Sequence, residues 1–239
     1  MFTRPPSRWH AFGIHLGLSL LIFIALAALI VFAWYPGFLF RTDGGWQGIR
    51  LIAGIDLVLG PLLTLIVYNQ AKKSLKFDLL VIALVQFSAL GAGTYLVYQE
   101  RPIAVVFADG KFSTMARNSY SFHGISIDDV EILNQRKPVW VYAAIDQSHP
   151  SLGTTFGFTN APHLATSRYR PLEDFLDRIK PLGSLDIGIT EPVERDSNLR
   201  YYPVLSRYYE GYLLFDVETG KVRRTILTNS TDHYQVEAG

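Results

Sequence analysis

Three long stretches of this chain carry almost no charge, and they limit its possible folds more than any other feature. Residues 11–40 contain no Asp, Glu, Lys or Arg, and His15 and Tyr35 are the only titratable side chains there. Residues 51–68 hold one acid, Asp56, and residues 79–98 hold no charged side chain. A helix rises about 1.5 Å per residue, so roughly 20 apolar residues cross the hydrocarbon core of a bilayer. Three transmembrane helices are expected, near 12–34, 48–69 and 77–98. From Arg101 onward charge density rises and the long apolar runs stop. The expected organisation is a three-transmembrane-helix α bundle over residues 1–100, followed by an α+β extracytoplasmic domain over 101–239.

The first run has some features of a cleaved leader. Arg4 and Arg8 form a basic start, and Ala25, Leu26 and Ala27 resemble a cleavage site. The apolar stretch continues well past that point, longer than a leader's apolar region, so an uncleaved anchor is expected. Trp34 and Tyr35 suit the far interface, where amphipathic rings settle. Orientation follows the Lys and Arg of the short loops. Arg4 and Arg8 precede span one, and Lys72, Lys73 and Lys76 separate spans two and three, against Arg41 and Arg50 with Asp43 in the first loop. The basic excess places the N-terminus and second loop in the cytoplasm. An odd number of spans then puts residues 101–239 on the far side, which in a bacterium is the periplasm.

Asp56 lies near the middle of span two, and Gly60-Pro61 follows it. An ionised acid at that depth costs about 2.5–3.5 kcal/mol on insertion scales. Two partners fit. In antiparallel spans Gln86 lies at a comparable depth, and its amide can donate to the carboxylate as interhelical polar glue. Alternatively, a foreign helix supplies a cation, an amide or a free amino terminus. A proton relay would need further acids, and the spans hold none. Pro61 interrupts the helical ladder, and such breaks persist where neighbouring groups resatisfy the freed carbonyls; Thr64, one turn on, is a candidate. Gly13 with Gly17, and Ala89 with Gly93, are small-residue pairs that permit close helix approach.

The strings GIDLVLGPLLTLIVY, KKSLKFDLL and VQFSALGAGTYLVYQERPIAVVF resemble the TfpX/TfpZ family of type IV pilin accessory proteins, which includes fimbrial assembly proteins. The matching positions are Asp56, Leu59, Gly60, Pro61, Leu62 and Thr64, then Lys73 and Asp78. Gln86, Ala89, Leu90 and Gly93 follow, and then Arg101, Pro102 and Phe107. The resemblance runs over roughly residues 9–112 and is looser beyond, where the strand at Pro203 and a final hairpin carry it. It implies a bacterial inner-membrane protein, a chaperone or assembly modulator for one cognate major pilin. Its implied partners are that pilin, other pilus assembly components and membrane lipid. On this reading the pilin's hydrophobic N-terminal helix is held by Asp56, Gly60, Pro61, Thr64, Gln86 and Gly93. The resemblance brings no catalytic residues and no cofactor.

The outer domain reads as mixed. Residues 102–107 form a β-branched run, Asp109-Gly110 is a hairpin turn signal, and 112–115 form the return strand. Ser126 with Asp129 resembles a capping box, and residues 139–145 are a buried strand. The stretch 170–180 is expected as one amphipathic helix with Pro171 at its first position and Leu172, Phe175, Leu176 and Ile179 on one face. Residues 146–169 are expected as loop, 211–217 and 221–227 as strands turning at Thr219-Gly220, and the tail after Asn229 as frayed.

Chemistry is sparse. The chain has no cysteine, which excludes disulfides and thiolate metal sites. His123, His149, His163 and His233 lack metal-ligand spacing. Ser148, His149 and Ser167 sit in no nucleophile elbow, and no phosphate-cradling glycine loop appears. A formal net charge of +1 gives no reason to expect nucleic acid. No enzyme is expected. Tyr201, Tyr202, Tyr208, Tyr209 and Tyr212, with Arg200 and Arg207, form a dense group of residue types favoured at interfaces, so they are a candidate surface for the pilin head. Tyrosine also fills half-buried strand positions. The competing class is a membrane-anchored periplasmic sensor or regulator without catalysis, but its cytoplasmic parts would be one short tail and one short loop.

Overall fold

A computed structural model describes residues 7–126, 128–131, 138–144, 162–190, 192–195, 197–228 and 234–238. The chain forms two compact units. One comprises Met1–Pro36 and Gly44–Gln99, the other Gly37–Asp43 and Glu100–Gly239.

Among its described residues the first unit holds three helices long and apolar enough to cross a membrane: Arg8–Trp34, Gly45–Val67 and Leu75–Gln99. Span one starts at Ser7, whose hydroxyl accepts from the His10 N–H at 3.3 Å, satisfying one of the unpaired donors of a helix start. It widens into a π-turn over Ile30–Trp34. Beyond it Tyr35 is buried, donating to the Val97 carbonyl at 2.8 Å, and Trp34 meets Tyr98 edge-on. Span two joins an α segment, Gly45–Ala53, to a π segment, Gly54–Leu59, and a second α segment, Gly60–Val67. Span three is one continuous α-helix. Glycines set two close approaches. A Cβ on Gly48 would fall 2.9 Å from Val97, and one on Gly93 would fall 3.3 Å from Ile55. At the other end Ala11, Tyr68 and Leu75 pack together with Leu79. Large apolar side chains such as Ile14, Leu21, Phe32, Ile66 and Leu84 point outward, as lipid-facing residues must.

The second unit is built on an eight-stranded mixed sheet: β1 Pro102–Ala108, β2 Lys111–Ala116, β3 Val139–Ala143, β4 Tyr169–Pro171, β5 Leu199–Leu205, β6 Glu210–Asp216, β7 Lys221–Thr228 and β8 Tyr234–Ala238. Their order is β4-β3-β1-β2-β5-β6-β7-β8. β1 runs parallel to β3, and β2 parallel to β5; the other neighbours are antiparallel. Asp109 and Gly110 turn the first hairpin with positive φ of 51° and 73°, the primed geometry that matches strand twist. Every residue of β1 is buried. Ala104, Val106 and Ala108 face a core with Tyr120, Val141 and Tyr169, while Val105 and Phe107 face another with Phe112, Tyr202 and Phe215. The second core is aromatic: Phe107 lies 4.9 Å from Phe112 and 5.4 Å from Tyr202, both edge-on.

Several expectations change. Residues 37–43, read as part of the bundle, belong to the sheet unit, because Leu39 is buried in the aromatic core and Phe38 packs beside it on Trp140. A loop that shares a core with the domain after span three lies on the same side of any membrane the spans cross. The single amphipathic helix is instead a broken segment. Pro171 ends β4, Leu172–Phe175 is a 3₁₀ turn, Leu176–Ile179 one α turn and Lys180–Leu182 another 3₁₀ turn. The break occurs because Phe175 leaves helical geometry (φ −127°) to stack on Tyr142 at 4.7 Å. Tyr234–Ala238, expected to fray, pairs antiparallel with β7. The helix expected at Ser126 is one turn, Asp128–Glu131. Ile145, Ser148, His149 and His233 fall outside the described residues, and Pro162–Leu164 and Thr166–Arg168 are 3₁₀ turns rather than plain loop.

Candidate functional site

Five polar side chains from all three spans meet inside the helical unit. Ser19 Oγ donates to Asp56 Oδ1 at 2.9 Å, and Gln86 Nε2 donates to the same oxygen at 2.7 Å. Gln86 Nε2 also lies 3.3 Å from Ser19 Oγ. On its other side Gln86 Oε1 is 2.8 Å from His15 Nε2, and His15 Nδ1 is 2.6 Å from Thr64 Oγ1. The roles follow from the carboxylate. With its nitrogen turned to Asp56, the Gln86 amide presents oxygen to His15, so Nε2 carries the imidazole proton and Nδ1 accepts from Thr64. Asp56 is 1% exposed, yet its Oδ2 has no hydrogen-bond partner among the described residues. An unmatched acceptor in a medium without water is costly.

The backbone of span two prepares this site. A π-helix bonds each carbonyl to the amide five residues on. For Asp56 that residue is Pro61, which has no N–H. The Asp56 carbonyl therefore lacks its in-register donor, and Gln86 Nε2 lies 3.5 Å from it. Gly60 makes room for Gln86: a Cβ there would fall 2.0 Å from Gln86 Oε1. Spans one and three each pack along span two, and His15 and Ser19 bridge from span one to Gln86 on span three.

The structure thus brings together Asp56, Gly60, Pro61, Thr64 and Gln86. Thr64 serves His15 and not the gap at Pro61. Gly93 belongs to helix packing against Ile55 and Leu51. A Cβ on Gly13 or Gly17 would meet nothing within 4 Å, so this pair is not a packing surface inside the bundle. His15 and Ser19 escape the sequence reading. The available signal was the sole titratable side chain of span one, with a hydroxyl one turn later on the same face.

The tyrosine group divides. Tyr201 and Tyr202 are buried, which corrects their assignment to a surface. At Tyr201 and Tyr202 β5 is covered on both faces, so these adjacent residues enter separate cores. Tyr202 donates to the Ile179 carbonyl at 2.8 Å, and Tyr201 accepts from Thr190 at 2.8 Å. Burial raises the Tyr202 hydroxyl well above its ordinary value, partly offset by Arg200. Tyr208 is exposed and Tyr209 half-buried, in the turn between β5 and β6.

The sheet unit holds its own buried acid. Asp43 Oδ2 accepts from Thr42 at 2.6 Å and Oδ1 from Thr114 at 2.5 Å, with a further backbone bond from Arg207. Burial pushes its carboxyl above the ordinary value, opposed by these three partners.

Comparison with known proteins finds fimbrial assembly proteins of Dichelobacter nodosus. The chain is 44% identical over 97 residues, 40% of its length, to the proteins of serogroup E1, serogroups C1 and C2, and serogroup I. The matched region spans 38% of the serogroup E1 and serogroup I proteins and 74% of the serogroup C1 and C2 protein. No protein-family model matches the chain, and no solved structure matches it.

Proposed function

Since the chain belongs to the family of fimbrial assembly proteins, we propose that it is a non-enzymatic accessory protein of type IV pilus assembly that holds a pilin before incorporation. The pilin's hydrophobic helix lies against the bundle in the inner membrane, and its head meets the sheet domain in the periplasm. The observation that carries this reading is the His15–Gln86–Asp56 network. It is a polar cluster at membrane depth, spread over three helices, and it leaves one buried acceptor empty. Polar groups of this kind serve helix association or function. Arg8, Lys72, Lys73 and Lys76 support a cytoplasmic N-terminus and second loop. Tyr208 and Tyr209, with Arg207, are what remains of the tyrosine group for contact with a head.

The test is affinity capture of the full chain from detergent-solubilised membranes that contain the major pilin. Pilin should copurify, and replacement of both His15 and Gln86 by Leu should reduce its recovery about tenfold, the change expected for ~1.4 kcal/mol of lost binding. Failure of the wild-type chain to retain any pilin would overturn the reading.

A further inference from the structure

We infer that Asp56 Oδ2 is the acceptor for a positively charged N–H donor, an ammonium or guanidinium, carried at membrane depth by the partner helix. This rests on the reading of the bundle as a holder of a foreign helix and names the chemistry of that contact.

Donors and acceptors in the network do not balance. Thr64 O–H, His15 Nε2–H, Gln86 Nε2–H and Ser19 O–H form a directed chain that ends on Asp56 Oδ1. Each member has its hydrogen committed, and Oδ2 receives none. The deficit is one donor, so an acceptor-bearing guest would add to it. A neutral donor would fill the hydrogen bond alone. A cation also offsets the carboxylate charge, which low-dielectric surroundings leave poorly screened. Among the described residues no cation bonds Oδ2. His15 is already bonded at both ring nitrogens, Arg50 lies over Trp46 at 5.0 Å, and Lys72 pairs with Asp78 at 2.6 Å.

Access runs past Gln86. Its carboxamide lies over Gly60 and against the carboxylate, and it is half-buried where Asp56 is 1% exposed. A donor that enters beside this carboxamide reaches Oδ2 while Gln86 keeps its bond to Oδ1. Gln86 is thus a positioning residue that holds Oδ1 and leaves Oδ2 for the guest.

The experiment uses the full chain in lipid nanodiscs and two synthetic transmembrane helices of leucine and alanine, one with a single mid-depth lysine and one with norleucine there. A bilayer-soluble carbodiimide that couples to buried carboxyl groups reports on Asp56 by mass spectrometry. The lysine helix should lower labelling about tenfold and the norleucine helix should not. In a binding assay with fluorescent helices, Asp56→Asn should remove the preference for lysine and Asp56→Glu should restore it. The labelling readout uses the wild-type protein and survives any misfolding of the variants. Equal protection by both helices would overturn the cation assignment while leaving helix holding intact. Protection by neither, with pilin still copurifying, would also overturn it.

Discussion

Each unit buries an aspartate, and the two are finished differently. In the sheet unit Asp43 has hydroxyl donors on both oxygens and the Arg207 main chain besides. In the helical unit Asp56 has, among the described residues, two donors on one oxygen and none on the other. Asp43 is complete and pins residues 37–43 to the sheet. Asp56 is incomplete where incompleteness costs most, since no water in the hydrocarbon core can fill a vacancy. A buried acid's role is therefore read from its unfilled valences more than from its burial.

The contrast can be broken first at two glycines. A Cβ on Gly211 would fall 2.0 Å from the Ile226 main-chain oxygen, and one on Gly60 the same distance from the Gln86 side chain. The strand oxygen cannot retreat without losing the β6–β7 pairing, whereas the carboxamide can swing aside. Gly211→Ala should cost about 4 kcal/mol or prevent folding, and Gly60→Ala about 1–2 kcal/mol, measured by thermal unfolding of the full chain in detergent. Equal costs would show Gln86 to be as fixed as a strand.

Asp43→Ala should come next, at about 3 kcal/mol, because it leaves buried partners unpaired. Its pH signature has a definite sign. The folded carboxyl titrates above the unfolded value of 3.8. Its contribution is therefore fully present below about pH 3.8 and is lost as pH rises through the folded value. Asp43→Asn should flatten that part of a stability profile.

The smallest effect should be Asp56→Asn, within about 0.6 kcal/mol. The amide keeps an acceptor for Ser19 and Gln86 and removes the charge. Unfolding in detergent would measure it. A loss above ~2 kcal/mol would place Asp56 with Asp43 as a structural acid.

The spans were legible because crossing a bilayer requires apolar length, which a chain displays without any partner. The Asp56–Gln86 pair was legible from depth along antiparallel helices. His15 and Ser19 were not, because which face of span one turns inward depends on packing that hydropathy does not encode. The π segment at Gly54–Leu59 was equally hidden; Pro61 announces a break but not how the ladder shifts to absorb it. In the sheet unit, composition said that tyrosines were dense and could not say which faced out. Tyr201 and Tyr202 turn inward because both faces of β5 are covered at these two positions. Leu39 was misassigned because its neighbours in sequence are membrane helices, while its neighbours in space lie on strands over sixty residues later.

That placement of Leu39 governs the order of assembly. The ribosome delivers residues 37–43 before spans two and three exist, and the strands they pack against follow span three. These residues must wait for their core partners until both later crossings have been made. A fragment cut at Arg101 would lack a piece of its own core, so the outer domain is not a detachable module.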